Sequence, residues 1–137
     1  MTNITIPSTA TRPDFAAIAT WVKPGAKVLD LGCGDGSLLC FLRDTRNIRG
    51  YGVEIDDENV LACFNNGVNV IQSDLESGLL SFESGSFDYV ILSQTLQAVK
   101  HTEGIIKEML RVSKEGIVSF PNFGYWKNRL QVMSGHM

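Results

Sequence analysis

A glycine-rich segment at residues 28–36 constrains the fold of this chain more than any other feature. It reads Val-Leu-Asp-Leu-Gly-Cys-Gly-Asp-Gly, an apolar run followed by three glycines within five positions. The apolar run predicts a buried strand, and the leucine-rich residues after it predict a helix. The glycines between them let backbone N–H groups approach a ligand closely, and the helix N-terminus attracts anionic groups. The segment therefore predicts a nucleoside-binding α/β domain.

The spacing of the glycines indicates which ligand this loop binds. A dinucleotide fold carries G-x-G-x-x-G, whereas Ser37 occupies the third glycine position of that pattern here. The run from Asp30 to Gly36, D-x-G-x-G-x-G, instead resembles motif I of the class I S-adenosylmethionine-dependent methyltransferases. A plain turn between a strand and a helix would need only one glycine. The resemblance implies that the methionine part of the cofactor lies on a floor formed by Gly32, Cys33, Gly34 and Gly36.

Three carboxylates complete the predicted cofactor site. Asp30 would anchor the loop or attract the cofactor's ammonium group, or it could be a simple cap. Glu54 ends the second predicted strand, where it could accept hydrogen bonds from both ribose hydroxyls or be a solvated strand-end acid. Ile55 could pack on the adenine face. Asp74 ends the third strand, where the resemblance implies a hydrogen bond from the adenine amino group, while the N–H of Leu75 meets a ring nitrogen. The alternative for Asp74 is a turn-forming aspartate.

Residues that could contact a methyl acceptor are less distinctive. Ser93 and Gln94 end the fourth predicted strand, so they either line an acceptor pocket or are polar strand-end residues. The segment lacks the Asp/Asn-Pro-Pro-aromatic run of amino-methylating DNA enzymes. His101 is interpreted as a loop histidine rather than a general base. Asp56 and Asp57 are predicted to cap the following helix. The sequence therefore assigns no catalytic residue.

Length, charge and cysteine content restrict the class of protein. A chain of 137 residues predicts one domain, with a flexible segment over residues 1–12 and a cofactor-binding domain over residues 13–137. A net charge of −3 argues against nucleic-acid binding. Three cysteines without metal-ligand spacing predict neither a disulfide framework nor a metal site, and they suit a cytoplasmic protein. The chain shows no signal-peptide pattern and no apolar run of membrane-spanning length.

Strands and helices alternate along the chain, which predicts a parallel sheet with right-handed crossovers and strand order 3-2-1-4-5. Residues 75–86 are predicted to be an irregular connection that is interrupted at Ser77-Gly78 and again at Gly85-Ser86. The helix over residues 57–65 is predicted to turn Val60, Leu61 and Phe64 inward, and residues 125–133 are predicted to form a further helix. A complete class I sheet has seven strands, so we expect strands six and seven to be missing. The predicted strands cover residues 27–31, 49–55, 68–72, 87–93 and 116–120, and the other helices begin at residues 13, 37 and 102.

Longer segments resemble one family, the MetW methionine biosynthesis proteins, from about residue 12 to the end. The Ser-Gln-Thr-Leu-Gln-Ala-Val run at residues 93–99 and the Phe-Pro-Asn-Phe-Gly-x-Trp run at residues 120–126 are its most specific parts. The other segments are shared with class I methyltransferases in general, and family members continue past the point where this chain stops. We therefore expect the chain to be a short member or to lack a C-terminal part. The matching segments are residues 28–36, 50–56, 68–75, 87–99 and 116–126.

The resemblance implies a role in bacterial methionine biosynthesis together with a homoserine O-acyltransferase, and a cofactor that is S-adenosylmethionine or S-adenosylhomocysteine. Two functions stay open at this point. The protein is either a binding module that supports the acyltransferase and senses S-adenosylmethionine, or a methyltransferase that acts on a small molecule. A group of aromatic residues either contacts the partner enzyme or covers the sheet edge. This group consists of Phe120, Phe123, Tyr125 and Trp126.

Overall fold

The computed structural model describes residues 13–93, 102–119 and 129–133. Within these ranges the chain forms helices and strands that mostly alternate, as the sequence pattern predicts. The helices are α1 (Pro13–Trp21), α2 (Ser37–Arg46), α3 (Asp57–Asn65), α4 (Leu75–Leu80) and α5 (Thr102–Val112). The strands are β1 (Lys27–Leu31), β2 (Arg49–Glu54), β3 (Asn69–Gln72), β4 (Phe87–Ser93), β5 (Ser113–Ser119) and β6 (Arg129–Met133).

The strands form one sheet with the order β3-β2-β1-β4-β5-β6. The first five are parallel, which confirms the predicted order 3-2-1-4-5. The strand order changes direction between β1 and β4, and ligands of open α/β sheets bind in the crevice beside such a switch point. Leu31 pairs with Val53, so the carboxyl ends of β1 and β2 lie side by side there. The topology thus brings the glycine loop next to Glu54.

The sheet is buried on both faces. One face packs against α1, α2 and the inward side of α3, and the other packs against α4 and α5. Strand β1 contributes Val28 to the first layer and Leu29 and Leu31 to the second, as expected for side chains that alternate along a strand. In the part of the chain that the structure describes, no helix is long and apolar enough to cross a bilayer.

The C-terminal end of the described chain differs from the prediction. Residues 129–133 form a strand, β6, which pairs antiparallel with β5, so the prediction of a helix over residues 125–133 was wrong. The expectation that the sheet ends after its fifth strand was also wrong. Leu130 and Val132 are apolar residues two positions apart, which is the period that favours a strand. They pair with Val118 and Gly116 of β5. The new strand satisfies backbone groups that would otherwise stay unpaired at the edge of β5. Strand β5 itself begins at Ser113 rather than at Gly116.

The connection over residues 75–86 contains helix α4, which the sequence analysis did not predict. The side chain of Asp74 caps this helix by accepting a hydrogen bond from the N–H of Ser77 at 2.7 Å. The Ser77-Gly78 pair, which the sequence predicts to interrupt regular structure, lies inside this helix. Gly78 is instead a packing residue, because a Cβ atom there would lie 2.9 Å from Cγ1 of Val53.

Helix α3 turns a different side to the sheet than predicted. Val60 and Cys63 are buried, whereas Leu61 is 60% exposed and Phe64 is 62% exposed. The helix therefore buries a narrow stripe at positions i and i+3 rather than a wide apolar face. The prediction for Leu61 and Phe64 was wrong because helical spacing alone does not tell which of two adjacent stripes meets the sheet.

Asp88 of β4 links the amino ends of three strands. Its contacts lead us to expect that the free energy of unfolding falls at acidic pH. Its carboxylate accepts a hydrogen bond from the N–H of Lys27 at 2.9 Å and lies 3.4 Å from the Lys114 ammonium. The hydrogen bond from the Lys27 N–H is the main cause that lowers the pKa of Asp88 below its ordinary value of 3.8, and the Lys114 ammonium lowers it further. The interaction therefore stabilises the fold above the pKa of the unfolded chain, and its contribution is lost as the pH falls through the folded pKa.

We expect Asp88→Asn to unfold more easily than wild type at neutral pH and to lose less stability than wild type when acidified. Urea titrations between about pH 6 and about pH 3 measure both effects. Asp44→Asn is the matched control, because the Asp44 side chain is 72% exposed and forms an ion pair with its sequence neighbour Arg43. An acid dependence in Asp88→Asn equal to that of the Asp44→Asn protein would contradict the assignment.

Candidate cofactor site

The loop between β1 and α2 has a backbone that requires its glycines. Gly32, Gly34 and Gly36 have φ values of 70°, 59° and 86°. Residues with a Cβ atom rarely adopt this left-handed conformation, which costs them about 1–2 kcal/mol each. The last of the three, Gly36, directly precedes helix α2. The three glycines thus allow a compact turn that ends at the N-terminus of α2.

The glycines of this loop have different surroundings. A Cβ atom at Gly36 would lie 2.9 Å from Cγ2 of Val68, so this glycine is needed for packing. A Cβ atom at Gly34 would meet no atom within 4 Å. Gly34 therefore faces open space at the carboxyl end of the sheet, which is the space that the methionine part of a cofactor would need. On this observation the loop leaves room for the cofactor that the sequence resemblance implies.

Glu54 connects the glycine loop to the end of β2. The side chain is only 8% exposed. One carboxylate oxygen accepts a hydrogen bond from the N–H of Gly34 at 2.8 Å, and the other accepts from the N–H of Asp56 at 3.0 Å. Glu54 is thus a buried, hydrogen-bonded group rather than a solvated strand-end acid. Since a carboxylate offers about four acceptor positions, it retains capacity for ribose hydroxyls.

The residues after Glu54 present both an apolar surface and a helix cap. Ile55 is 64% exposed although it follows a buried strand, so it offers an apolar face next to the carboxylate. Asp56 accepts a hydrogen bond from the N–H of Asn59 at 3.0 Å, which confirms its predicted role as the cap of α3. The side-chain amide of Asn59 also lies 3.5 Å from Glu54.

Asp30 and Asp74 occupy different environments. Asp30 is 2% exposed within β1, next to Gly52 of β2 and Ile91 of β4. Asp74 is exposed, and its carboxylate accepts hydrogen bonds from the N–H and the hydroxyl of Ser77. It therefore acts as the cap of α4, and Leu75 is the first residue of that helix. The contact of Asp74 with adenine stays a prediction, in which one carboxylate would serve both purposes.

Other predicted site residues lie at or beyond the limits of the described chain. Ser93 is the last residue of β4 and pairs with Ser119 of β5, which places it at the carboxyl edge of the sheet. Gln94, His101 and the aromatic group at residues 120–126 lie outside the described residues. In the described ranges, no three His, Cys, Asp or Glu side chains are grouped in a way that could hold a metal ion.

Helix α3 holds the glycine loop through contacts that the sequence analysis missed. The thiol of Cys63 lies 3.2 Å from the carbonyl oxygen of Gly34 and donates a hydrogen bond to it. The side-chain amide of Asn66 donates to the carbonyl oxygen of Asp35 at 3.1 Å. Burial raises the pKa of the Cys63 thiol and keeps it protonated, as this donor role requires. No local sequence pattern pairs Cys63 with a loop about thirty residues earlier, so this contact is visible only in the structure.

Solved structures with the same fold define the class of this domain. A SAM-dependent methyltransferase from Thermotoga maritima superposes with a TM-score of 0.64 at 25% identity, over 77% of this chain and 49% of that one. A TehB-like SAM-dependent methyltransferase from Corynebacterium glutamicum gives a TM-score of 0.67 at 17% identity, over 78% and 61%. The fold alone is also shared with the 4+2 cyclase SpnF, with a TM-score of 0.68 at 24% identity, over 77% and 43%. The domain has the class I methyltransferase fold.

Sequence comparison identifies the family within that class. Residues 12–137 match the family model of the methionine biosynthesis protein MetW, and the chain belongs to this family. The bifunctional methionine biosynthesis protein MetXA/MetW of Rhodopirellula baltica is 44% identical over 133 residues, which cover 90% of this chain and 21% of that protein. A demethylmenaquinone methyltransferase of Bacillus cereus is 34% identical over 102 residues, which cover 69% of this chain and 43% of the enzyme. The chain thus spans less than half the length of either relative.

Proposed function

We propose that this protein binds S-adenosylmethionine and acts as a subunit that supports a homoserine O-acyltransferase in methionine biosynthesis. The observation that carries the proposal is the fused relative, in which a MetW part and a MetXA part share one chain under a bifunctional name. Fusion keeps two activities at equal amounts and at high local concentration, which favours partners that also associate as separate chains. The sequence resemblance implies that this partner is the acyltransferase.

The geometry of the loop supports cofactor binding. Gly34 would leave room for the methionine part, Glu54 would bind the ribose, and Ile55 would contact the adenine. The same class of cofactor is named for the Thermotoga and Corynebacterium proteins that share the fold. The full set of residues that we propose for the site is Asp30, Gly32, Cys33, Gly34, Gly36, Glu54, Ile55, Asp74, Leu75 and Ser93.

The carboxylates of the site are already hydrogen-bonded to the backbone, which favours a binding role over catalysis. Glu54, Asp56 and Asp74 each accept a hydrogen bond from a backbone N–H group, in the glycine loop for Glu54 and in the helix that follows for the two aspartates. An acid that holds the backbone in this way is poorly placed to take a proton from a methyl acceptor. These side chains would therefore shape the site, while the chemistry of acyl transfer takes place on the partner enzyme.

A small-molecule methyltransferase is the second candidate, and the 34% identity to the Bacillus demethylmenaquinone methyltransferase favours it. Methyl transfer from an activated donor needs positioning more than acid–base catalysis, so the engaged carboxylates do not decide against it. The two candidates differ in whether the cofactor is consumed.

The experiment is an acyltransferase assay with the purified partner, with and without this protein, in the presence of S-adenosylmethionine or S-adenosylhomocysteine. We expect this protein to change the acyltransferase rate without forming S-adenosylhomocysteine. An unchanged rate would refute the support role. A rate effect that needs S-adenosylmethionine and accumulates S-adenosylhomocysteine would identify a methyltransferase instead.

Gly34→Ala is expected to weaken S-adenosylmethionine binding at least tenfold while the protein stays folded. The new methyl group would occupy the open space above the loop, where the cofactor is proposed to lie. Gly85→Ala is a matched control, since Gly85 has a similar φ of 68° and equally open surroundings but lies in the turn before β4. Both variants carry the same strain of about 1–2 kcal/mol. Calorimetry that finds equal affinities for the two variants would place the cofactor elsewhere.

A further inference from the structure

Two cysteines from distant parts of the chain meet behind the glycine loop. Cys33 belongs to the loop, Cys63 belongs to α3, and their sulfur atoms lie 3.7 Å apart. Both are free thiols, with Cys33 8% exposed and Cys63 fully buried. A disulfide bond brings two sulfur atoms to about 2.0 Å, so the two residues must move closer together to form one.

The loop depends on one of these thiols. The carbonyl oxygen of Gly34 accepts a hydrogen bond from Cys63, and the N–H of Gly34 donates a hydrogen bond to Glu54. These two contacts set the orientation of the backbone on both sides of Gly34. A disulfide would remove the S–H donor from the Gly34 carbonyl and would draw Cys33, the preceding residue, toward α3. The backbone under the proposed cofactor would then change.

We infer that Cys33 and Cys63 are an oxidation site at which a peroxide forms a reversible disulfide that weakens cofactor binding. In the first step the thiol of Cys33, which has the greater exposure, is oxidised to a sulfenic acid and the peroxide is reduced to water. In the second step the sulfur of Cys63 attacks the sulfenic sulfur, and a second water molecule leaves. The two thiols supply the two electrons, and an added dithiol reverses the bond.

The surroundings of the pair determine when this reaction occurs. Burial raises the pKa of both thiols, so the reactive thiolate is scarce in the closed loop. Oxidation is therefore slow until the loop opens, and a bound cofactor that holds the loop closed protects the pair. The effect on cofactor affinity rests on the proposed function, whereas formation of the bond does not.

The test uses a Cys40→Ser background, in which only the pair remains. Cys40 lies on α2, and its sulfur contacts the carbonyl of Asn66 at 3.8 Å. Its backbone N–H donates to the carbonyl of Gly36, a hydrogen bond that serine retains. The protein is treated with hydrogen peroxide, unfolded in the presence of an alkylating reagent, and weighed by mass spectrometry. We expect the loss of two hydrogens without alkylation, recovery of both thiols with dithiothreitol, and slower oxidation when S-adenosylmethionine is present. Calorimetry should show at least tenfold weaker S-adenosylmethionine binding by the oxidised form.

Cys33→Ser and Cys63→Ser in the same background are the controls, with Cys63→Ala as a second variant and circular dichroism to check folding. They should gain oxygen rather than lose hydrogen. If both thiols of the pair stay open to alkylation after peroxide, the inference is wrong. A disulfide that leaves the affinity unchanged would also overturn it. If the reduced protein binds no S-adenosylmethionine, the proposed function fails separately, and hydrogen exchange at residues 32–36 then decides whether the disulfide alters the loop.

Discussion

Glu54→Ala is expected to weaken S-adenosylmethionine binding at least tenfold and to lower the free energy of unfolding. The substitution removes the acceptor for the N–H groups of Gly34 and Asp56, both of which donate to this buried carboxylate. A hydrogen bond to a charged group contributes about 1.5–3 kcal/mol, and the loss of about 1.4 kcal/mol corresponds to a tenfold change in affinity. Calorimetry measures the affinity, and urea unfolding measures the stability.

Glu58→Ala is the matched control for this experiment. It removes the same charge from the first turn of α3, but the side chain of Glu58 is exposed. We expect the affinity and stability of this variant to stay close to wild type. Glu54→Gln should fall between the two, because its carbonyl oxygen can still accept one of the two backbone hydrogen bonds. Equal affinities of Glu54→Ala and Glu58→Ala for the cofactor would show that Glu54 does not contact it.

The parts of the fold that follow from local patterns were predictable from the sequence. The apolar strand before Gly32 and the helix after Gly36 are read from consecutive residues, and alternation of such units leads to the order 3-2-1-4-5. The position of Glu54 beside the loop was predictable too, because the carboxyl ends of neighbouring parallel strands lie at the same edge of the sheet. The structure adds that Glu54 already binds the loop at Gly34.

The features that were missed depend on contacts between distant residues. Cys63 and Asn66 donate hydrogen bonds to the carbonyls of Gly34 and Asp35. The spacing of these residues in the sequence does not predict that α3 contacts the loop. The inward side of α3 was mispredicted for the same reason. Gly78 was taken as a break because the sequence does not show that Val53 packs against it. Tertiary packing thus decides which of several locally acceptable structures forms.

Strand β2 offers a paired test of this long-range packing. Its two glycines, Gly50 and Gly52, point to the same face of the sheet, since side chains alternate along a strand. A Cβ atom at Gly52 would overlap the sulfur of Cys33 and would lie 3.0 Å from the Cβ atom of that residue. A Cβ atom at Gly50 would instead meet the ends of flexible side chains, 2.9 Å from Leu39 and 3.1 Å from Ile48.

Gly52→Ala is therefore expected to destabilise the protein by about 1–3 kcal/mol, the usual cost of overpacking, and to weaken S-adenosylmethionine binding because Cys33 must move with its loop. Gly50→Ala should cost less stability and should leave the affinity unchanged, because Leu39 and Ile48 can rotate away.

The double variant Gly52→Ala with Cys33→Ala removes the sulfur from the clash, so it should be more stable than the sum of the two single variants predicts. Additive effects in this cycle, measured by urea unfolding, would mean that Gly52 does not make room for the loop cysteine.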